Sequence, residues 1–324
     1  MAQAIRFHRT GGPEVLTLES VDVGKPGRGE VRMRNTAIGV NFIDTYQRSG
    51  LYPMQLPSGL GTEAAGVVEE VGEGVDWLKP GDRVATCTSP VGAYSTERNL
   101  PADKLVKLPD GIEDRTAAAM MLKGLTVQYL FRQTYPLKAG QTSLFHAAAG
   151  GVGLIACQWA RALGVTMIGT AGSDEKAALA RQYGCAHTIV YTRENFVERV
   201  KEITNGKGVP VVYDSIGKDT FPASLDCLSP RGFFVSFGSA SGPIPPFNIM
   251  MLSQKGSLYA TRPTLFTHAA NRESLNAMAS ELFGLVKEGK IKPDARQTFP
   301  LAQAAEAHRT LESRKTTGAT LLIP

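Results

Sequence analysis

The residues Ser143-Leu-Phe-His-Ala-Ala-Ala-Gly-Gly-Val-Gly153, followed by Leu154-Ile-Ala-Cys-Gln-Trp-Ala-Arg161, combine a short apolar run, a turn of small residues and an apolar-faced helical pattern. This arrangement brings bare backbone N–H groups and a helix N-terminus up to a dinucleotide pyrophosphate. The small residues are spaced Ala147-x-x-Gly150-x-x-Gly153, a departure from G-x-G-x-x-G. Taken alone they fit equally a tight strand-to-helix turn built for packing. A second signal follows at the end of the next strand, where Gly172, Ser173 and Lys176 supply the small, hydroxyl and cationic groups that a ribose 2′-phosphate requires. A site for the unphosphorylated ribose would instead place a carboxylate at the strand tip. Asp174 and Glu175 are close by, and in the first turn of a helix their charges favour its dipole. The expected cofactor is NADPH.

The elements that must hold these residues alternate along the second half of the chain. Ser143–His146, Val165–Thr170, Thr188–Tyr191, Val209–Asp214, Gly232–Phe237 and Ser257–Thr261 are candidate strands, with helical patterns such as Lys176–Tyr183 and Asn195–Thr204 between them. Their spacing predicts a doubly wound parallel sheet of six strands, with ligands beyond its C-terminal edge. There lie Asp214-Ser-Ile-Gly217 and Phe237-Gly-Ser239, with Phe237 readable either as groove wall or as core. From Ile5 to about Lys107 the pattern is β-rich, with Val31–Arg34, Ala64–Val71, Arg83–Thr86 and Lys104–Leu108 separated by Pro80-Gly-Asp82 and similar turns. A long helix is expected over 114–131, another over 272–288, a third over 303–312, and a closing strand at Ala319–Ile323.

Bulk properties are those of an ordinary globular chain. With 324 residues, 43% hydrophobic and 20% charged, it has room for about two domains and their cores. A net charge of +5 without a basic run argues against nucleic acid. Cys87, Cys157, Cys185 and Cys227 lack disulfide or zinc spacing, and no apolar run has transmembrane length, so reduced thiols and a cytoplasmic location are expected.

Asn41-Phe-Ile-Asp-Thr-Tyr46, Ser49-Gly-Leu-Tyr52, Gly59-Leu-Gly-Thr-Glu-Ala-Ala-Gly66, Pro80-Gly-Asp-Arg-Val84, Leu122-Lys-Gly-Leu-Thr126 and His146–Gly153, in this order, resemble the zeta-crystallin-like quinone oxidoreductases of the medium-chain dehydrogenase/reductase superfamily. The resemblance spans the whole chain and is strongest to the bacterial NADPH:quinone reductases. It implies an α/β protein with a GroES-like β-rich catalytic domain over 1–123, completed by about 263–324, and a Rossmann domain over 124–262. The active site would lie in the cleft between the domains, in a homodimer joined at the edge of the sheet. The cofactor would be lined by Asn41, Thr126, Gly150, Gly151, Val152, Gly172, Ser173, Lys176, Tyr191, Ser215, Phe237, Gly238, Ser239 and Arg262. Asn41, Tyr46 and Tyr52 would face a small quinone, with an amide or a phenol donating to its oxygen. Tyr191 is also readable as a plain strand aromatic. Zinc-dependent relatives carry Cys at Asn41 and His at Thr62, so no metal is expected. Two alternatives remain open: reduction of an alkenal or enone double bond, and a zeta-crystallin-like structural or RNA-binding role.

Overall fold

The computed structural model describes every residue from Met1 to Pro324. The chain divides into two compact units, one of Met1–Leu125, Leu265–Glu288 and Pro293–Pro324, the other of Thr126–Thr264 with Gly289–Lys292. The first unit opens with strands β1 (Ala2–Phe7), β2 (Thr17–Val21) and β3 (Glu30–Val40), helix α1 (Phe42–Ser49), and strands β4 (Ser58–Gly59), β5 (Glu63–Val71), β6 (Arg83–Thr86), β7 (Glu97–Pro101) and β8 (Val106–Lys107). Strand β3 shows why its sequence is a strand. Val31 and Met33 alternate inward, while Arg32 and Arg34 point outward to Glu70 and Glu69 on β5, at 2.6 and 2.8 Å. Its last four residues, Ala37 to Val40 apart from Gly39 all apolar, run into the core and deliver Asn41 to the start of α1.

Helix α2 (Asp114–Tyr129) leads to the second unit and passes into a wider turn over Leu130–Thr134, closed by the N–H of Tyr135 on the carbonyl of Leu130 at 3.2 Å. The helical signal expected up to residue 131 therefore continues through this turn and stops at Tyr135-Pro136. Six strands follow: β9 (Thr142–Phe145), β10 (Thr166–Ala171), β11 (His187–Val190), β12 (Val209–Asp214), β13 (Leu228–Ser236) and β14 (Tyr259–Thr261). They form one all-parallel sheet in the order β11-β10-β9-β12-β13-β14. Helices α3 (Gly151–Ala162), α4 (Asp174–Gln182), α5 (Phe196–Ile203) and α6 (Met250–Gln254) accompany them. The six-stranded doubly wound sheet is thus as its spacing foretold. Only the sixth strand is shorter, because Ser257 has φ +55° and cannot extend the strand toward its N-terminus. The polarity of the order reverses between β10 and β12 around β9, which sets the ligand crevice beyond the C-terminal end of β9.

The chain then returns to the first unit as α7 (Leu265–His268), α8 (Arg272–Lys287), β15 (Ala295–Pro300), α9 (Ala304–Glu312) and β16 (Ala319–Ile323). Strand β16 pairs antiparallel with β3 and parallel with β15, completing a sheet ordered β15-β16-β3-β5-β6-β8 with β7 on β3. Strand β15 was not foreseen. Its residues Ala-Arg-Gln-Thr-Phe-Pro never reach full burial and offer no apolar alternation to read.

Candidate active site

In the nucleotide unit the turn after β9 is built for close approach. Ala147 takes the left-handed conformation at φ +57°, with its N–H on Thr170 Oγ1 at 3.3 Å, and Gly150 caps α3 with extended backbone. A Cβ on Gly153 would lie 2.4 Å from the carbonyl oxygen of Ala147 and 2.6 Å from that of Ala148, so only glycine lets α3 begin this close to the strand. Gly151 and Val152 stand half-exposed in the first helical turn, where backbone N–H groups have no intrahelical acceptor.

The tips of β10 and β11 converge beside Gly172. The hydroxyl of Tyr191 lies so near that a Cβ on Gly172 would meet it at 2.9 Å, and Ser173 caps α4 by accepting from the N–H of Lys176 at 3.3 Å. Tyr191 is half-exposed, which fits a ligand-facing aromatic better than a packed one. Lys176 is half-buried, and desolvation lowers its pKa. Asp174 is neutralised by Arg193, whose guanidinium holds both carboxylate oxygens, one at 2.6 Å. Arg193 escaped the sequence reading, although a base two residues past the strand tip that carries Tyr191 was the available signal.

At the tips of β12 and β13, Ala240 donates its N–H to Ser215 at 3.1 Å, and Phe237 donates its own to Asp214 at 2.8 Å. The Phe237 ring is half-buried and lies 5.5 Å from that of Phe145, so it stands at the margin of the core. The Arg262 guanidinium reaches the Gly238 carbonyl at 2.9 Å and Ser239 Oγ at 3.4 Å. Ser215, Phe237, Gly238, Ser239 and Arg262 are therefore brought together. Thr126 is buried in α2.

Beneath this edge, His146 joins three strand tips. Its Nδ1 is 3.0 Å from Thr170 Oγ1 and its Nε2 3.0 Å from Ser224 Oγ, which in turn donates to Asp214 Oδ2 at 2.9 Å. All four are sealed from solvent, and burial lowers the His146 pKa and keeps the ring neutral. Serine, histidine and aspartate meet here without a nucleophile's exposure. The arrangement is a clamp on β9, β10 and β12.

In the first unit Asn41 caps α1, and Tyr46 and Tyr52 stack edge-on with ring centroids 5.4 Å apart. The N–H of Tyr52 on the Tyr46 carbonyl at 3.0 Å fixes the loop after the helix. Tyr46 is buried and Tyr52 half-buried. Asn41 Nδ2 donates to Glu63 Oε2 at 2.8 Å, and Lys123 Nζ lies 2.9 Å from the same oxygen, all three side chains being buried. Helix α1 is anchored by a chain of partners far away in sequence. Arg48 Nη1 meets His308 Nδ1 at 3.0 Å, His308 Nε2 meets the Tyr94 hydroxyl at 3.1 Å, and Tyr94 donates to Asp44 Oδ2 at 2.8 Å. The same Asp44 oxygen accepts the N–H of Asn41 at 2.8 Å. Burial, with Arg48 adding to it, brings His308 down to about 3, and burial raises Asp44 to about 7. None of Asp44, Tyr94, Arg48 and His308 was singled out from sequence.

The β-rich segment 27–110 matches the alcohol dehydrogenase GroES-like domain family, and 151–280 matches the zinc-binding dehydrogenase family. The two units are those of a medium-chain dehydrogenase/reductase. A quinone oxidoreductase of Pseudomonas aeruginosa is 61% identical over 325 residues, with all of both chains covered. The crystal structure of Escherichia coli quinone oxidoreductase complexed with NADPH matches at a TM-score of 0.98 and 54% identity, over 99% of this chain and 100% of that one. A 2-haloacrylate reductase of Burkholderia sp. is 50% identical over 100% of this chain and 99% of its own. This chain belongs to the quinone oxidoreductase family of that superfamily.

The zinc in one family's description does not fit the residues found. Asn41 has turned its amide nitrogen toward Glu63, Thr62 presents a buried hydroxyl without a partner, and of the two nearby carboxylates Glu63 is occupied by the Lys123 ammonium and Asp44 by the Asn41 N–H and the Tyr94 hydroxyl. A divalent cation placed there would meet a fixed positive charge and no thiolate or imidazole. The buried Cys87 thiol, pushed well up by burial and by Glu63, stays protonated.

Proposed function

We propose that the chain reduces quinones with NADPH, by hydride transfer and without zinc. What supports this reading is the gathering of Gly172, Ser173, Lys176, Tyr191 and Arg193 at adjoining strand tips, suited to a phosphate, together with the turn that opens helix α3, in a chain with full-length quinone oxidoreductase relatives. Bound NADPH supplies a hydride from its nicotinamide ring. Gly150, Gly151 and Val152 offer backbone to the pyrophosphate, and the strand-tip cations hold the 2′-phosphate. Thr126, Ser215, Phe237, Gly238, Ser239 and Arg262 line the nicotinamide half. Tyr46 and Tyr52 form the wall for the acceptor ring, and a tyrosine hydroxyl donates to the oxygen that gains charge. No strong acid is required, because the reduced quinone delocalises its charge before protonation. The direct test follows NADPH oxidation at 340 nm with 1,4-benzoquinone, and absence of turnover with benzoquinone and naphthoquinones sinks the reading.

A second acceptor class is supported by the likeness to the 2-haloacrylate reductase, which points to conjugated double bonds as alternative hydride acceptors. The same assay with an alkenal and a haloacrylate ranks the two. The 2′-phosphate assignment is tested by Lys176→Ala combined with Arg193→Ala. Losing two charge-assisted contacts raises the KM for NADPH about 10–100-fold and leaves that for NADH nearly unchanged. Equal losses for both cofactors overturn the assignment.

Homodimerisation through β14 is the second part of the proposal. This short edge strand carries Tyr259 stacked on Phe233 at 4.6 Å, and Ile249 and Met250 are the most exposed large apolar residues after Met1. Ile249→Asp with Met250→Asp yields a sedimentation coefficient of a single chain where the native protein sediments as a pair; unchanged sedimentation removes β14 and α6 from the interface. A cytoplasmic location is proposed from the four buried free thiols. No helix is long and apolar enough to cross a membrane.

A further inference from the structure

We infer that Glu63 and Lys123 are positioning residues that lock the Asn41 amide, so that Asn41 accepts a hydrogen bond from a bound reactant and does not donate to a quinone carbonyl. The inference rests on the site reading above and assigns the direction of one hydrogen bond within it. Glu63 is fully buried at the start of β5 and collects three donors. Leu122 N–H reaches Oε1 at 2.7 Å, and Lys123 Nζ and Asn41 Nδ2 reach Oε2 at 2.9 and 2.8 Å. The three donors converging on the Glu63 carboxyl oxygens make it the acceptor here, so it selects the nitrogen end of the Asn41 amide. The second amide N–H points to the Gly39 carbonyl at 3.4 Å. Both amide hydrogens are thus directed into protein. The Asp44 N–H donates to the Asn41 backbone carbonyl at 3.1 Å, so the amide oxygen Oδ1 keeps lone-pair capacity for a ligand.

The placement depends on three separate elements. Asn41 follows β3, Glu63 opens β5 and Lys123 sits in α2. Gly39 makes the room, since a Cβ there would lie 2.0 Å from Glu63 Oε2 and 2.5 Å from the Ala118 carbonyl. Lys123 offsets the cost of a sealed carboxylate. What meets Oδ1 must be a donor. Among the reactants these are the ribose hydroxyls and carboxamide N–H of the nicotinamide half, or the hydroxyls of the hydroquinone product. A quinone carbonyl cannot serve, and stabilisation of the charged oxygen falls to the tyrosines.

A polarity swap tests this. Asn41→Asp sets two carboxylates face to face and lowers kcat/KM for quinone at least 100-fold. Glu63→Gln lets the amide pair turn either way and lowers it about tenfold. The combined variant Asn41→Asp/Glu63→Gln keeps the net charge beside Lys123 and again presents an oxygen outward. It recovers to within about tenfold of native, whereas a required Asn41 donor would leave it as poor as Asn41→Asp. A folded double variant, judged by native-like thermal unfolding, that shows no recovery over Asn41→Asp overturns the inference. NADPH Kd from fluorescence titration of the same four proteins identifies which reactant donates. A Kd that follows the cycle assigns the nicotinamide half of NADPH, and a native Kd with recovered kcat assigns the hydroquinone. A native protein that binds NADPH without reducing quinones, with a Kd that follows the cycle, sinks the quinone reading and leaves this one standing.

Discussion

Gly153→Val raises the NADPH Kd by at least 100-fold. The added side chain begins 2.4 Å from the Ala147 carbonyl oxygen and 2.6 Å from two atoms of Ala148. These are backbone atoms that cannot withdraw: Ala148 N–H is held on the Thr170 carbonyl at 3.0 Å, and Gly150 N–H on that of Ala147 at 3.0 Å. Relief must come from sliding α3 away from β9, which removes the first-turn N–H groups from the pyrophosphate. Overpacking of this kind costs about 1–3 kcal/mol, and a 100-fold loss of affinity corresponds to about 2.7 kcal/mol. The milder Gly150→Ala meets only the Ala147 oxygen at 3.3 Å, and its Kd moves less than tenfold. Titration of both with NADPH, alongside thermal unfolding, decides the matter. A folded Gly153→Val protein with native affinity would falsify the placement of the pyrophosphate at this turn.

Asp44→Asn makes the protein acid-sensitive in a range where the native protein is not. His308 is lowered from 6.5 to about 3, so below pH 6.5 the unfolded chain binds a proton that the folded one refuses, and stability falls with falling pH. Asp44 is raised from 3.8 to about 7, so between these values the folded chain holds a proton that the unfolded one has released, and stability falls with rising pH. From about pH 4 to 6.5 the two slopes oppose each other and nearly cancel. An asparagine at 44 still accepts from Tyr94 and from the Asn41 N–H and removes only the proton. Its variant then loses on the order of 3 kcal/mol between pH 6.5 and 4, at about 1.4 kcal/mol per pH unit for one proton. His308→Gln does the reverse and weakens as pH rises from 4 to 7. Urea unfolding across this range measures both, and parallel curves for the native protein and Asp44→Asn would discard the opposed pair.

The strand-to-helix turns at the C-terminal edge of the parallel sheet were readable because their signals are local. Small residues at 147, 150 and 153 must lie where a strand meets a helix, and Gly172, Ser173 and Lys176 follow within one turn of the next strand tip. Asn41, Tyr46 and Tyr52 were singled out only through resemblance to a family, and they share one helix with its cap and exit loop. What supports them was not legible. Arg48 and His308 are separated by 260 positions, and Glu63 and Lys123 by 60, so no window of sequence contains a partner. Buried polar side chains report their role only when the fold shows which donor faces which acceptor. Strand β15 was missed for the opposite reason, its pattern being local but without an apolar face.

The route of the chain also orders its birth. The nucleotide unit is nearly continuous from Thr126 to Thr264, whereas the sheet that carries Asn41 waits for β16, which inserts between β15 and β3. At about 5–20 residues per second, the roughly 60 residues beyond Thr264 take some 3–12 s to synthesise. During that interval only the C-terminal end of β3, Ile38–Val40, lacks its neighbour, because β7 already pairs Glu30–Arg34, and the nucleotide unit can already close. A nascent chain of this protein can therefore complete the six-stranded parallel sheet before the sheet that delivers Asn41 receives its last strand.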